Sequence, residues 1–156
     1  MKIKIIALGK IKEKFLKDGI DEFLKRLKPY TSLEIIELNP IEIKDENLTQ
    51  KALEQEAVKI LECIKPDSYV ITLEILGKQL SSEEFAQKIN EVSISGINEL
   101  VFIIGSSCGI APTVSQRANY KLSISKMTFL HQFARLLLVE QIYRAFKILK
   151  NETYHK

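Results

Sequence analysis

The chain has 156 residues, of which 46% are hydrophobic and 28% are charged. These proportions fit one soluble domain with a single core, and they exclude a disordered or fibrous chain. No apolar run approaches the roughly 20 residues that a membrane-spanning helix needs, so we expect a cytoplasmic protein without a membrane partner.

The net charge of +3 is unevenly distributed along the chain. Residues 1–50, 51–100 and 101–156 carry charge balances of +1, −4 and +6. A local basic excess of this kind suits a polyanion such as RNA. A solvated basic face without a partner is the alternative that charge alone leaves open.

Strand and helix patterns alternate from the start of the chain. Ile3–Leu8 is a short apolar run rich in β-branched residues, which is typical of a buried strand and not of a signal peptide. Apolar residues from Phe15 to Leu27 recur at helical spacing, and Leu33–Leu38 predicts the next strand. A second helical pattern covers 48–64, and Tyr69–Ile75 predicts a third strand.

The second half of the chain continues the alternation. Ser81 and Glu84 match a capping box at the start of a helix that runs to about Val92. The remaining predicted elements are a strand at 100–104, a short helix after Pro112, a short strand at about 121–125 and a long helix at 130–149. This alternation predicts an α/β domain in which helices flank both faces of a mainly parallel sheet.

In a parallel sheet, ligands bind beyond the carboxyl ends of the strands. The segments to inspect are therefore 74–79, 105–109 and 124–131. Gly77 is followed by Lys78, a weak turn signal, and Thr128 stands where it could cap the last helix. The glycine-flanked loop at 105–109 lacks the spacing of the known phosphate-binding fingerprints.

The last helix is apolar over more of its surface than one buried stripe requires. Its apolar residues between 133 and 149 are 133, 134, 136–139, 142, 143, 145, 146, 148 and 149. This width predicts a second partner, and another copy of the chain in a homodimer is the simplest one. A wholly internal helix is the alternative.

The sequence contains no recognisable metal-ligand cluster. Its two histidines, His131 and His155, are far apart, and Cys63 and Cys108 match no zinc motif. We interpret the cysteines as reduced structural thiols. His131 falls in the first turn of the last helix, where a packed, hydrogen-bonded histidine is the simpler interpretation. No metal is expected.

Three segments carry a resemblance to a known family. Leu122–Lys156 ("LSISKMTFLHQFARLLLVEQIYRAFKILKNETYHK") resembles the C-terminal signature of the RlmH family, and it is long and specific. Ile71–Ala86 ("ITLEILGKQLSSEEFA") and Val101–Gly109 ("VFIIGSSCG") resemble the family's other two blocks, in the same order. The likeness extends over the whole chain.

The resemblance implies a single SPOUT-superfamily domain over 1–156, with a C-terminal trefoil knot and a cofactor-binding region at about 69–156. It implies an enzyme that uses S-adenosylmethionine (SAM) to methylate N3 of a pseudouridine in 23S ribosomal RNA of the large subunit. It also implies a homodimer with the SAM sites near the subunit interface.

The family's SAM-contacting positions match eight residues: Leu73, Gly105, Ile124, Ser125, Lys126, Met127, Thr128 and Phe129. The family's RNA-side and catalytic positions match Arg144, Tyr154, His155 and Lys156, and His131 matches a family histidine. We expect His155 to accept the N3 proton, because an imidazole titrates near neutral pH. Lys156 or Arg144 would stabilise charge on the base carbonyls, and Tyr154 would stack on the base.

Three positions depart from the family's usual pattern. Ser106 replaces a glycine, Leu130 replaces a proline and Glu74 replaces an aspartate. If position 106 required a positive φ, a serine there would cost about 1 kcal/mol. Two further functions stay open: a SPOUT enzyme with another target, such as a tRNA, and a homologue that binds RNA without catalysis. The absence of a nucleotide fingerprint disfavours a small-molecule α/β enzyme.

Overall fold

The computed structural model describes residues 1–154, in which strands and helices alternate. In chain order the elements are β1 (Lys2–Leu8), α1 (Lys14–Leu27), β2 (Leu33–Leu38), α2 (Thr49–Glu62), β3 (Tyr69–Gln79), α3 (Ser82–Ile94), β4 (Glu99–Ile104), α4 (Pro112–Arg117), β5 (Tyr120–Ser123) and α5 (His131–Leu149). The strands lie in the order β2-β1-β4-β3-β5, and each of these pairings is parallel. The α/β prediction is confirmed, whereas the trefoil knot and the 69–156 cofactor-binding region stay predictions.

Helices cover both faces of the sheet because alternate side chains of the central strands point to opposite faces. In β1, Ile3 and Ile5 join the core beneath α1, α3 and α5, whereas Ile6 joins the core beneath α2 and α4. In β4, Phe102 and Ile103 divide between the two cores in the same way. The continuous apolar runs in the sequence are therefore strands buried on both faces.

The predicted capping box at the start of α3 is confirmed. The Ser81 hydroxyl accepts a hydrogen bond from the Glu84 backbone N–H at 3.1 Å, and the Glu84 carboxylate accepts one from the Ser81 N–H at 2.7 Å. These two bonds satisfy backbone donors that the helix itself leaves unpaired.

Helix α5 lies against both α1 and α3, above the sheet. Leu138, Val139, Ile142 and Ala145 are buried there, and most of its other apolar residues pack partly against the same core. Neighbours within one chain therefore explain most of the apolar width of α5. The apolar width of α5 is therefore not by itself evidence of a homodimer.

Strand β3 continues beyond its predicted end. Leu73 and Lys78 both pair with Leu122 of β5, so residues 74–77 bulge out of the ladder. A Cβ at Gly77 would lie 2.7 Å from the Leu122 carbonyl carbon. The prediction of a turn at Gly77 is wrong, because the glycine serves a close approach of two strands.

Within residues 1–154, no helix combines the length and apolarity needed to cross a bilayer.

Candidate functional site

A cavity of about 650 Å³ lies at the carboxyl ends of β3, β4 and β5. Pockets that enclose small molecules typically measure roughly 300–1,000 Å³. The bulge of β3 and the segments that follow β4 and β5 line the cavity together with the first turn of α5. The lining includes Leu73, Gly105, Ile124, Ser125, Met127, Thr128 and Phe129. The structure therefore brings together seven of the eight residues predicted to contact a cofactor, and Lys126 lies outside the lining.

The loop after β4 is compact because its backbone folds back on itself. A Cβ at Gly105 would stand 2.4 Å from the carbonyl oxygen of Gly109, a distance that real contacts do not reach. The Gly109 N–H donates to the Ser106 carbonyl at 2.9 Å, and Gly109 itself adopts a φ of 90°. Glycine is therefore required at position 105, where it leaves room for the close approach of the loop.

Ser106 is held by a carboxylate that sequence reasoning missed. Its hydroxyl donates to Glu56 at 3.0 Å and accepts from the Cys108 N–H at 3.4 Å. Glu56 lies in α2, is only 4% exposed, and accepts a second hydrogen bond from the Ile41 N–H at 3.1 Å. Ser106 does not adopt a positive φ, so the expected strain at this position does not arise. The sequence signal that could have revealed this role is that Glu56 lies on the otherwise apolar, buried face of α2.

Two serines shape the segment that joins β5 to α5. The Ser123 hydroxyl donates to the Ser125 carbonyl at 3.0 Å, and the Ser125 hydroxyl accepts from the Met127 N–H at 3.0 Å. The prediction that Thr128 caps α5 is wrong, because Leu130 occupies the capping position and no side chain caps the helix there. Thr128 lines the cavity instead.

The cavity has few charged groups. Glu74 lines it, and its carboxylate accepts hydrogen bonds from the Thr72 hydroxyl at 2.7 Å and the Ser115 hydroxyl at 3.2 Å. His131 lines it as well. Burial lowers the pKa of His131, and the positive charge of Arg135 lowers it further, which favours the neutral imidazole.

The C-terminal tail packs on the far end of α5. The Tyr154 hydroxyl donates to Glu140 at 3.0 Å, and Arg144 donates to the same carboxylate at 2.7 and 3.1 Å. The Arg144 guanidinium lies 4.6 Å from the centre of the Tyr154 ring, and Tyr143 meets that ring edge-on at 4.9 Å. Burial raises the pKa of Tyr154, and its hydrogen bond to Glu140 raises it further.

A second contact anchors the same tail. Glu152 accepts a hydrogen bond from Lys147 at 2.5 Å and another from the Tyr30 hydroxyl. Glu152 and Tyr154 of the tail therefore contact α5, and Glu152 also contacts the turn that follows α1. The predicted residues His155 and Lys156 lie outside the described residues.

Glu140, Arg144 and Tyr154 form a tail cluster, which lies at the opposite end of α5 from the cavity. His131 begins the helix at the cavity, and Arg144 is 13 residues further along it. At about 1.5 Å per residue, these two positions are separated by about 20 Å along the helix axis. Neither Arg144 nor Tyr154 lines the cavity. Within one chain, therefore, Arg144 and Tyr154 do not reach the cavity.

Large apolar side chains are exposed around the cavity. Leu76 is 98% exposed, Met127 75% and Leu130 61%, and all three contribute to the cavity lining. The bulge in β3 explains the exposure of Leu76, since it carries residues 74–77 out of the sheet. A contiguous apolar surface of this kind is typical of an interaction site.

No group of three or more histidine, cysteine, aspartate or glutamate side chains in residues 1–154 is arranged to hold a metal ion. Cys63 and Cys108 are free thiols, each half-buried.

Comparison with known proteins places the chain among methyltransferases. Residues 1–155 match a family model described as "Predicted SPOUT methyltransferase". A protein of Methanococcus maripaludis (strain C5) named "Putative ribosomal RNA large subunit methyltransferase H" is 51% identical over 163 residues, and the alignment covers the whole of both chains. Both matches include the cavity and the tail cluster, and they confirm the resemblance seen in the three sequence segments.

Proposed function

The chain belongs to the SPOUT methyltransferase family, and from this premise we propose that it uses SAM to methylate N3 of a pseudouridine in 23S ribosomal RNA. The observation that carries the proposal is the convergence of the β3 bulge and of the segments after β4 and β5 on one cavity. The name of the relative from Methanococcus maripaludis supports a large-subunit ribosomal RNA target. A ribosomal target in turn supports a cytoplasmic location.

The cavity fits SAM in size and chemistry. Its volume of about 650 Å³ accommodates a ligand of this size. Its lining is mainly apolar, and Gly105 allows the backbone of the loop to come close to a ligand. We propose that Leu73, Gly105 and residues 124–129 hold the cofactor. When bound, SAM supplies an electrophilic methyl group on a sulfonium.

The tail cluster suits the RNA side of the reaction. The N3–H of a uracil-type ring is a weak acid that must lose its proton, and His155 is the proposed acceptor. Arg144 or Lys156 would stabilise the negative charge that develops on the neighbouring carbonyl oxygens. Tyr154 presents an aromatic ring on which an unpaired base can stack, although Tyr143 and Arg144 contact that ring in the free chain.

We further propose that two chains assemble each active site. His131 at the cavity and Arg144 in the tail cluster are about 20 Å apart along α5, and neither Arg144 nor Tyr154 lines the cavity of its own chain. A twofold homodimer that places the tail of one subunit at the cavity of the other resolves this separation. The exposed Leu76, Met127 and Leu130 at the cavity rim supply apolar surface for such an interface.

Incubation of the chain with SAM and ribosomes from a methylation-deficient strain tests the reaction. We expect nucleoside analysis to show N3-methylated pseudouridine. A methylated nucleoside in tRNA instead would identify a SPOUT enzyme with a different target. If calorimetry shows no SAM binding, the chain is a non-catalytic RNA-binding homologue and the proposed activity is wrong.

Two inactive variants test the composite site. Gly105→Val should fill the close approach to Gly109 and block the cavity, and a chain truncated after Thr153 should lack the tail. In an equal mixture, half of the dimers contain one chain of each variant. In such a dimer, the intact cavity of the truncated chain meets the intact tail of the Gly105→Val chain, so one of its two sites is intact. We therefore expect about a quarter of normal turnover. An inactive mixture that contains heterodimers would contradict the composite site.

A further inference from the structure

The cavity contains a carboxylate without an opposing cation. Within residues 1–154, Glu74 is the only acidic residue that lines it, and no lysine or arginine contributes to the lining. The half-buried Glu74 is held by two neutral hydroxyls, those of Thr72 and Ser115. Thr72 is fully buried, which limits the freedom of the carboxylate. Its hydrogen bonds therefore orient the negative charge without neutralising it.

Within residues 1–154, Glu74 forms no ion pair with a lysine or arginine, and Lys126 of the neighbouring loop lies outside the lining. Arg135 is 2% exposed and is occupied by Glu37 at 2.6 Å and by the Gly9 carbonyl at 2.9 Å. Glu56, behind Ser106, adds a second buried carboxylate on the side of the loop away from the lining. The cavity thus favours a ligand with a positive charge.

We propose that Glu74 is a specificity-determining residue that makes the cavity prefer cationic SAM to its neutral product, S-adenosylhomocysteine. The proposal rests on the proposed function, because it takes SAM as the ligand. The two molecules differ by one methyl group and by the positive charge on sulfur. A fixed carboxylate in a partly desolvated cavity stabilises the sulfonium and has no such interaction with the thioether.

This preference has a consequence for turnover. The product would lose its electrostatic attraction to the cavity once the sulfur became neutral. Glu74 would then favour exchange of product for fresh SAM, even though both ligands share the same adenosine and amino-acid groups. A carboxylate that instead bound a shared group by hydrogen bonding would hold the two ligands equally.

Calorimetry on the full chain with two ligands separates these roles. Glu74→Gln retains the shape of the side chain and can still bond the two hydroxyls, but it removes the charge. We expect the Kd for SAM to rise about tenfold, the size of one solvent-screened charge interaction, with the Kd for S-adenosylhomocysteine changing less than about twofold. Sinefungin, which carries an ammonium near the position of the sulfonium, should follow SAM.

Glu54→Gln is the matched control. Glu54 is exposed on α2 and bonds Gln50, so this variant changes the net charge equally without touching the cavity. Its ligand preference should be unchanged, and Glu74→Asp should retain most of the preference for SAM. Equal weakening of SAM and S-adenosylhomocysteine by Glu74→Gln, or no weakening of either, would overturn the inference alone. Absence of SAM binding by the unaltered chain would overturn the proposed function as well.

Discussion

The hydroxyl of Ser106 donates a hydrogen bond of 3.0 Å to the buried carboxylate of Glu56. This bond joins the loop after β4 to α2, across 50 residues of sequence. Because the same carboxylate accepts the Ile41 N–H, it also fixes the chain that leads into α2. The loop that lines the cavity is therefore supported from outside the cavity.

The first prediction concerns the coupling of these two residues. Ser106→Ala removes the hydroxyl and should leave a buried acceptor of Glu56 unpaired, which costs about 1–3 kcal/mol of unfolding free energy. The double variant Ser106→Ala/Glu56→Leu should be more stable than the sum of the single effects predicts. Denaturant unfolding of the four proteins measures this coupling. Strictly additive changes would show that the bond contributes nothing to the fold.

The second prediction concerns the buried Arg135. Glu37→Gln removes the partner charge while Arg135 remains buried, and this leaves the guanidinium without a compensating anion. Since the Glu37 side chain is 38% exposed, we expect a loss of about 2 kcal/mol, below the value for a fully buried pair. Urea unfolding measures the change.

Glu34→Gln on the same strand is the control for Glu37→Gln. Glu34 pairs with Lys2 on the surface, where both side chains are nearly half exposed. This variant should leave the unfolding midpoint unchanged. If the two substitutions lowered the unfolding free energy equally, the buried pair of Arg135 and Glu37 would contribute no more to stability than the surface pair of Lys2 and Glu34.

The third prediction concerns Leu130, which precedes α5. Its φ of −55° is already close to the value that proline requires, and its side chain is 61% exposed. Leu130→Pro should therefore raise the unfolding free energy by about 0.4–1 kcal/mol by restricting the unfolded chain. Thermal unfolding checks this, with Leu130→Ala as a control that removes the same side chain without restricting the backbone. A lower midpoint for the proline variant would show strain at this position.

The fourth prediction concerns pH. Burial lowers the pKa of His131 in the folded chain below its ordinary value of 6.5, and the positive charge of Arg135 lowers it further. Between the folded and unfolded pKa values the unfolded chain binds more protons, so this contribution to stability is present above about pH 6.5 and is lost as the pH falls. The loss levels off below the folded pKa.

Unfolding at pH 7.5 and 5.5 should therefore show a smaller loss of stability for His131→Gln than for the unaltered chain. An NMR titration provides the direct measurement, with His155→Gln used to assign the two imidazole signals. An imidazole of His131 that titrates at or above 6.5 would contradict the prediction.

The sequence predicted the elements and the meeting of three segments because both follow from local rules. Periodicity identifies buried strands such as Leu100–Ile104, and parallel pairing places the carboxyl ends of strands at one edge. The bulge at 74–77 escaped prediction because it is visible only in the register between β3 and β5. The role of Glu56 was not predicted because its hydrogen-bond partner, Ser106, is 50 residues away in the sequence.

The apolar width of α5 shows a different limit. Counting apolar positions correctly indicated that more than one face of this helix is buried. The count could not identify the partners, because α1 and α3 reach α5 from distant parts of the sequence. The tail residues were predicted as site residues only from the family resemblance. Local sequence patterns showed no more than an unusual composition at that end of the chain.

Helix α5 also restricts how the chain can change in length. One helix carries both the cavity residue His131 and the tail residue Arg144, so inserting one residue between them would turn one relative to the other by about 100° and shift it by about 1.5 Å. In a twofold assembly each such error would occur at both sites. Length variation should therefore be tolerated in the exposed segment at 44–47 and rejected within α5.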